Sequence, residues 1–313
     1  MHRYIIKRVG YLVFTIFIVS VFTFIVVNAI PGEPAEILTK HLFVGLEEAA
    51  PPEMVTELSQ RYDLDKSLLE QYFNWIRGAI GGDLGYSILF NRPVTHLLKN
   101  ALPPTLILAA AAAFLSVIIG LPLGIYSALR KGRLSDWIVR MITIFSISMP
   151  VFWIAVILIL VFSLGLGITP VAGYGGCEYL ILPALSLAIH SSASLARIMR
   201  TSLIDTMNKP FITFAKAKGL PDKRIIIHHA LRNSLLPVIT MIGMTFGSLL
   251  AGAVVIETIF SWPGLGNLLM KAIAARDVVL IESTIVVIIT LFLLVNFVVD
   301  LLYHVIDPRI TYE

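Results

Sequence analysis

His228 and His229 are adjacent, and on a helix neighbouring side chains point about 100° apart, so they make a poor two-ligand metal site. His190 lies among Ser191, Ser192 and Ser194 in an apolar run, where an ionisable group is a functional candidate for lining a path. The competing reading, a hydrogen-bonded structural histidine, is preferred. Gly247-Ser248 lacks the flanking pattern and partnered histidine of a serine nucleophile, and the chain holds no His-Glu-x-x-His pair. Glu257 and Asp300 fall at the ends of apolar runs, where an arginine partner or hydration suffices, and neither is assigned a proton relay. Cys177 is the single cysteine, which excludes an intrachain disulfide. No Gly-x-x-x-x-Gly-Lys-Ser/Thr phosphate loop occurs, so any ATP-derived energy must come from partners. The reactive residues do not assemble into a catalyst, and the chain reads as a non-enzyme.

The elements that carry these residues are membrane elements. Of 313 residues, 57% are hydrophobic and 14% charged, against about a quarter charged in a soluble domain. A helix needs roughly 17 to 25 residues to cross a bilayer, and six stretches qualify: 9–30, 101–129, 141–165, 180–196, 233–256 and 283–299. The first holds 15 Ile, Leu, Val or Phe residues and no charge, an insertion term of about −4.5 to −9 kcal/mol. It is too long for a signal-peptide core and lacks a small-x-small site, so residues 1–30 are expected to stay in the mature protein. The fourth, short and serine-rich, reads as a helix wrapped by the others. The expectation is an all-α membrane protein of six spans.

Lys and Arg are divided unevenly between the loops. With the N-terminus cytoplasmic, 16 of the 24 fall on the inner side, which predicts both termini in the cytoplasm of a multi-pass cell-membrane protein. The net charge of +4 is then a membrane signature, and no basic, aromatic-interleaved groove for nucleic acid is visible.

Three segments organise the chain: an N-terminal span (1–30), an outer loop domain (31–100) and a five-helix core (101–313) carrying an inner loop (205–232). In the outer loop, "PPEMVTELSQRY" and "SLLEQYFNWIRGAI" look helical, the second with Leu69, Tyr72, Phe73, Ile76 and Ile80 spaced as a buried stripe. The glycines of "GGDLG" are expected to end that helix through positive φ. In the inner loop, Pro210 suits a first helical turn, Gly219 a left-handed C′ position and Pro221 the start of a second helix. Two short helices with an elbow at Gly219-Leu220-Pro221 form a surface another protein can grip; a basic loop on lipid headgroups is the alternative. In the fifth span, Gly243, Gly247 and Ala251 share a face beside Ser248 and Gly252. Close packing and a translocation path both fit them. Met241 and Met244 would give that path a pliable lining.

The segment "TFAKAKGLPDKRIIIHHALRNSLLPVIT" resembles the cytoplasmic loop of ATP-binding-cassette importer permeases of the dipeptide/oligopeptide/nickel branch. "GDLGYS", "PALSLAI", "ETIFSWPGLGNLLMKAIAARD" and "LVNFVVDLLYHVIDPRI" are similar to that branch as well, in order along nearly the whole chain. The resemblance implies a type I importer permease fold. It makes Thr213, Phe214, Ala215, Lys216, Ala217, Lys218, Gly219 and Leu220 the coupling helix that enters a cleft of an ATPase subunit. The general Glu-Ala-Ala opening reads Thr213-Phe214-Ala215 here, and the Leu-Pro pair is displaced, with Arg232 after Leu231 and the proline at Pro237. Implied partners are a second homologous permease, two cytoplasmic ATPase subunits holding ATP and Mg, an extracytoplasmic substrate-binding protein, and lipid. No cofactor or metal is expected in this chain. The path residues would be Met241, Gly243, Met244, Gly247, Ser248 and Ala251, and the expected cargo is a di- or oligopeptide. Alternatives are an oligosaccharide or nickel importer, or a stand-alone transporter, although inverted repeats or paired intramembrane charges are not found.

Overall fold

The computed structural model describes residues 2–29 and 66–306. The expected helix "PPEMVTELSQRY" and most of the outer loop lie outside those residues. In chain order the elements are α1 (His2–Asn28), α2 (Leu68–Ile80), β1 (Tyr86–Ser87), β2 (Arg92–Pro93), α3 (Val94–Leu129), α4 (Leu134–Ser148), α5 (Val151–Leu158), α6 (Cys177–Met207), α7 (Pro210–Ala217), α8 (Asp222–Arg224), α9 (Arg232–Ile259), α10 (Leu265–Ala275) and α11 (Val278–Ile306). Wide π-type turns extend α5 over Ile159–Gly165 and join α8 to α9 over Ile225–Leu231.

Among the described residues five helical runs are long and apolar enough to cross a membrane: α1, α3, α6, the run from α8 through α9, and α11. The stretch 141–165, expected as the third span, is broken, because α4 and the α5 run meet at 107°. Pro150 explains the break: its ring pushes Met149 out of the helical region, to φ −79° and ψ 131°. The pair still carries the chain across. Asp136 of α4 sits against Arg200, Ser146 against His190, and the loop after α5 reaches the far end of α9, where Gly173 N donates to Phe260 O. Counted as one broken crossing, the pair completes six.

The chain forms two compact units, Met1–Pro104 with Pro263–Leu294, and Thr105–Trp262 with Val295–Glu313. In the first, Val94, Leu98 and Ala101 of α3 bury against Leu265, Leu268 and Ala272 of α10 and Leu280 and Ile281 of α11. Ser67 and Glu70 form a reciprocal capping box at the start of α2. The expected buried stripe of α2 is not buried: among the described residues Tyr72 alone of the five is enclosed, while Leu69, Phe73 and Ile80 are exposed. Tyr72 reaches across instead of down, its hydroxyl 2.9 Å from Ser20 Oγ and its ring edge-on to Phe24 of α1. Gly82 ends this helix region at φ +85°, as anticipated, and Asp83 Oδ1 then accepts Gly85 N at 2.9 Å in a side-chain turn leading into the β1–β2 ribbon.

In the second unit α6 is the central helix, with 61% of its most apolar window buried against 17% for α1 in the other unit. This agrees with the wrapped-helix reading. Backbone approach makes the burial possible: a Cβ on Gly120 would lie 2.7 Å from Ser192 O, and one on Gly124 would lie 2.5 Å from Ala196 O. The glycine pair four residues apart in α3 is therefore the close-packing motif of this unit.

Candidate functional site

The inner loop folds as an elbow on the end of the α6–α9 pair. Pro210 occupies the first turn of α7 behind an extended Lys209. The helix stops in a two-bond reversal: Gly219 N donates to Lys216 O at 2.9 Å and Leu220 N to Ala215 O at 3.4 Å. Gly219 takes φ +78°, which a side chain would strain. Pro221 then caps α8 in an extended conformation, φ −66° and ψ 143°.

Two faces of the elbow differ sharply. Inward, Ile212, Ala215, Ile225 and Ala230 are buried with Leu195, Met199 and Leu203 of α6 and Val238 of α9. Outward, Phe214 is 63% exposed, and Lys218 Nζ rides 4.9 Å above its ring, a cation–π contact that presents charge and apolar surface together. Of the eight residues expected to meet an ATPase, Thr213, Phe214, Lys216, Ala217, Lys218 and Gly219 face outward and Leu220 is half-buried. Ala215 is the exception. It faces inward as an anchor, because three residues after Ile212 it returns to the same side of α7.

The expected path residues of α9 divide in the same way. Met244, Ser248 and Ala251 lie on an exposed face that continues to Val255. Met241 is half-buried against the elbow core, and Gly247 is buried. Gly243 is a packing glycine, since a Cβ there would overlap the Val299 side chain of α11. The exposed Ser248 hydroxyl is spent on its own helix, donating to Thr245 O at 2.8 Å.

His190 has its partner on another helix: Nδ1 lies 3.2 Å from Ser146 O, at the level where α4 ends. Beside it Ser192 turns to the backbone instead, its Oγ donating to Ile189 O. Glu257, for which an arginine partner or hydration was expected, is closed to water. It is fully buried and accepts the Thr105 hydroxyl at 2.6 Å. The Asp300 side chain lies outside the described residues. Cys177 is exposed at the start of α6, and His229 serves through its carbonyl, which accepts Asn233 Nδ2.

Two polar centres escaped the sequence reading. Asp136, 1% exposed, takes Arg200 Nε at 2.8 Å and Nη2 at 2.9 Å, Ser127 Oγ at 2.6 Å and Gly132 N at 3.0 Å. A lone acid among Arg130, Lys131, Arg133 and Arg140 was the available signal. Asp277 holds Ser87, Leu89 and Leu280 in the other unit. Nothing in the spacing of Ser87 and Asp277 announces that pairing.

With this geometry in place, the sequence matches two family models: binding-protein-dependent transport system inner membrane component over residues 120–312, and the N-terminal region of the same membrane components over residues 1–109. Full-length relatives include the di/tripeptide transport system permease protein DppB of Pseudomonas aeruginosa, 37% identical with 100% of both chains covered. The glutathione transport system permease protein GsiC of Escherichia coli O6:H1 is 38% identical, again over 100% of each. Among solved structures, the inward-facing MetNI methionine ABC transporter aligns with TM-score 0.58 at 18% identity, over 67% of this chain and 96% of that one. An amino acid ABC transporter with histidines aligns with TM-score 0.53 at 18% identity, covering 67% and 94%. These likenesses show a shared importer-permease fold.

Proposed function

This chain belongs to the family of binding-protein-dependent transport system inner membrane components, and on that premise we propose that it is the peptide-conducting permease of an importer driven by partner ATPases. It is a multi-pass permease subunit of an ABC importer. The finer reading is that it is non-catalytic and pairs with a second homologous permease. Two cytoplasmic ATPase subunits binding ATP and Mg would dock on it, and an extracytoplasmic binding protein would deliver cargo. The termini and the elbow would face the cytoplasm, the side to which positively charged loops are retained.

One observation carries the coupling role: the elbow is anchored by buried Ile212, Ala215 and Ile225 in the core of α6 and α9, yet offers Phe214 and Lys218 outward. A push on the outward face must move as a body with those anchors, because close-packed interiors switch between discrete arrangements and do not stretch. The exposed face of α9, with Met244, Ser248 and Ala251, would then line the path with the second permease. Its small and pliable side chains, and a serine hydroxyl already bonded to its own backbone, suit cargo with varied side chains. A peptide cargo is supported by two relatives named for di/tripeptides and for glutathione, itself a tripeptide.

The test is reconstitution of the complete complex with its binding protein in vesicles. ATP hydrolysis and uptake are measured with di- and tripeptides, oligosaccharides or Ni²⁺ added in turn. Stimulation by short peptides alone is expected. Stimulation by only a sugar or nickel would overturn the peptide reading, and uptake by this chain without any ATPase would overturn coupling.

A further inference from the structure

Arg140 and Arg197 flank a cleft that the transport reading leaves unused. It is cut between α3, α4 and α6, has a volume of about 110 Å³, and has Val139 and Ile144 in its wall. That is several times the ~10–15 Å³ one water requires. The charge of the cleft follows from the bonds around it. Asp136 is saturated by Arg200, Ser127 and Gly132, so that acid and Arg200 neutralise each other. Arg140 stands 3.8 Å from Asp136 with nearly half its side chain exposed, and among the described residues no carboxylate forms an ion pair with Arg197. Two positive charges remain at the mouth. Thr143 and Thr201 do not compete as donors, because their hydroxyls turn onto the carbonyls of Arg140 and Arg197 on their own helices.

The surface beside the cleft is apolar. Trp137 and Ile144, seven residues apart and each more than half exposed, stand on the flank of α4 that carries Arg140, and Ile144 is part of the cleft wall. Trp is favoured at the headgroup level of a membrane. Arg130, Lys131 and Arg133 add charge in the adjoining α3–α4 turn. Cationic donors joined to an apolar flank match an amphiphile with a phosphate at one end, and basic pockets between membrane helices are where acidic headgroups bind.

We propose that this cleft binds the phosphate of an anionic membrane phospholipid, with Arg140 and Arg197 as donors, Trp137 beside the headgroup and the acyl chain over Ile144. The proposal needs the chain to lie in a membrane but not the peptide cargo, so a failed uptake assay leaves it standing. The test uses the intact complex in nanodiscs of phosphatidylcholine doped with phosphatidylglycerol, followed by native mass spectrometry of retained lipid. Because both leaflets are present, the outcome does not depend on which way the chain faces. Phosphatidylglycerol should be enriched on the wild-type complex. Arg140→Gln and Arg197→Gln should each cut that enrichment about fivefold, and the double variant about 30-fold, the strength of one surface cation per arginine. Arg197→Lys should retain most of it. Unchanged enrichment in the double variant would overturn the proposal. So would complete displacement of the lipid by millimolar inorganic phosphate, which would identify a soluble phosphoanion as the ligand.

Discussion

Ser87 Oγ donates to Asp277 Oδ2 across 2.6 Å, joining two residues 190 positions apart in the chain. The same carboxylate accepts Leu89 N at 3.0 Å and, through its other oxygen, Leu280 N at 3.1 Å. One fully buried aspartate thus caps α11 and clamps the ribbon whose first strand ends "GDLGYS". Asp277→Ala would orphan two backbone donors and remove a helix cap, a loss of about 2–4 kcal/mol. Ser87→Ala removes one charge-assisted bond and should cost about 1.5–3 kcal/mol. Thermal unfolding in detergent checks the order: equal midpoints for wild type and Asp277→Ala would refute the clamp.

The Asp136–Arg200 pair should behave as a unit. Removing either partner alone leaves a buried charge and should cost about 3–5 kcal/mol, whereas replacing both with leucine should cost less than the sum. A double-mutant cycle on unfolding midpoints measures the coupling. Strict additivity would mean the two residues act separately.

On α9 the two faces should give opposite phenotypes. Gly243→Ala drives a methyl into Val299 and should destabilise the chain by about 1–3 kcal/mol. Ala251→Phe lies on the exposed face, so its unfolding midpoint should stay near that of wild type while peptide uptake falls. Unfolding and uptake are read on the same preparations, and normal uptake by Ala251→Phe would remove that face from the path.

At the elbow, Phe214→Glu should weaken co-purification of the ATPase by about 30-fold or more, the loss typical of an interface hot spot, without changing the unfolding midpoint. Gly219→Ala should instead cost about 1–2 kcal/mol, since φ +78° is strained for any side chain. Quantitative pull-down beside thermal unfolding separates the two effects.

Glu282, 3% exposed, has an Oε1 atom without a hydrogen-bond partner among the described residues. A buried polar atom in that position costs about 1–3 kcal/mol, so Glu282→Leu is expected to raise the unfolding midpoint. A lowered midpoint would mean that this carboxylate has a binding partner in the folded protein.

How much of the site was legible differs from residue to residue. Pro210, Gly219 and Pro221 each announced their conformation, because a ring or a missing Cβ restricts or frees the backbone at that very position. The outward role of Phe214 and the inward role of Ala215 were not separable in the sequence. A helix of eight residues has to dock before its faces differ. The stripe on α2 failed for a related reason: Leu69, Phe73 and Ile80 show a helical period, and a period states that a face is apolar without saying what covers it.

The sequence by itself determined the membrane class, the number of crossings and the placement of the elbow. These rest on hydropathy summed over contiguous residues and on local backbone preferences, neither of which requires knowing where other segments lie. Tertiary structure alone decided that Gly243 packs while Met244 and Ala251 stay open, that Gly120 and Gly124 admit α6, and that Asp136 finds Arg200 while Ser87 finds Asp277. Each depends on two distant segments arriving at one place. A contact of a few ångströms between residues 64 or 190 positions apart leaves no periodic trace in the chain that makes it.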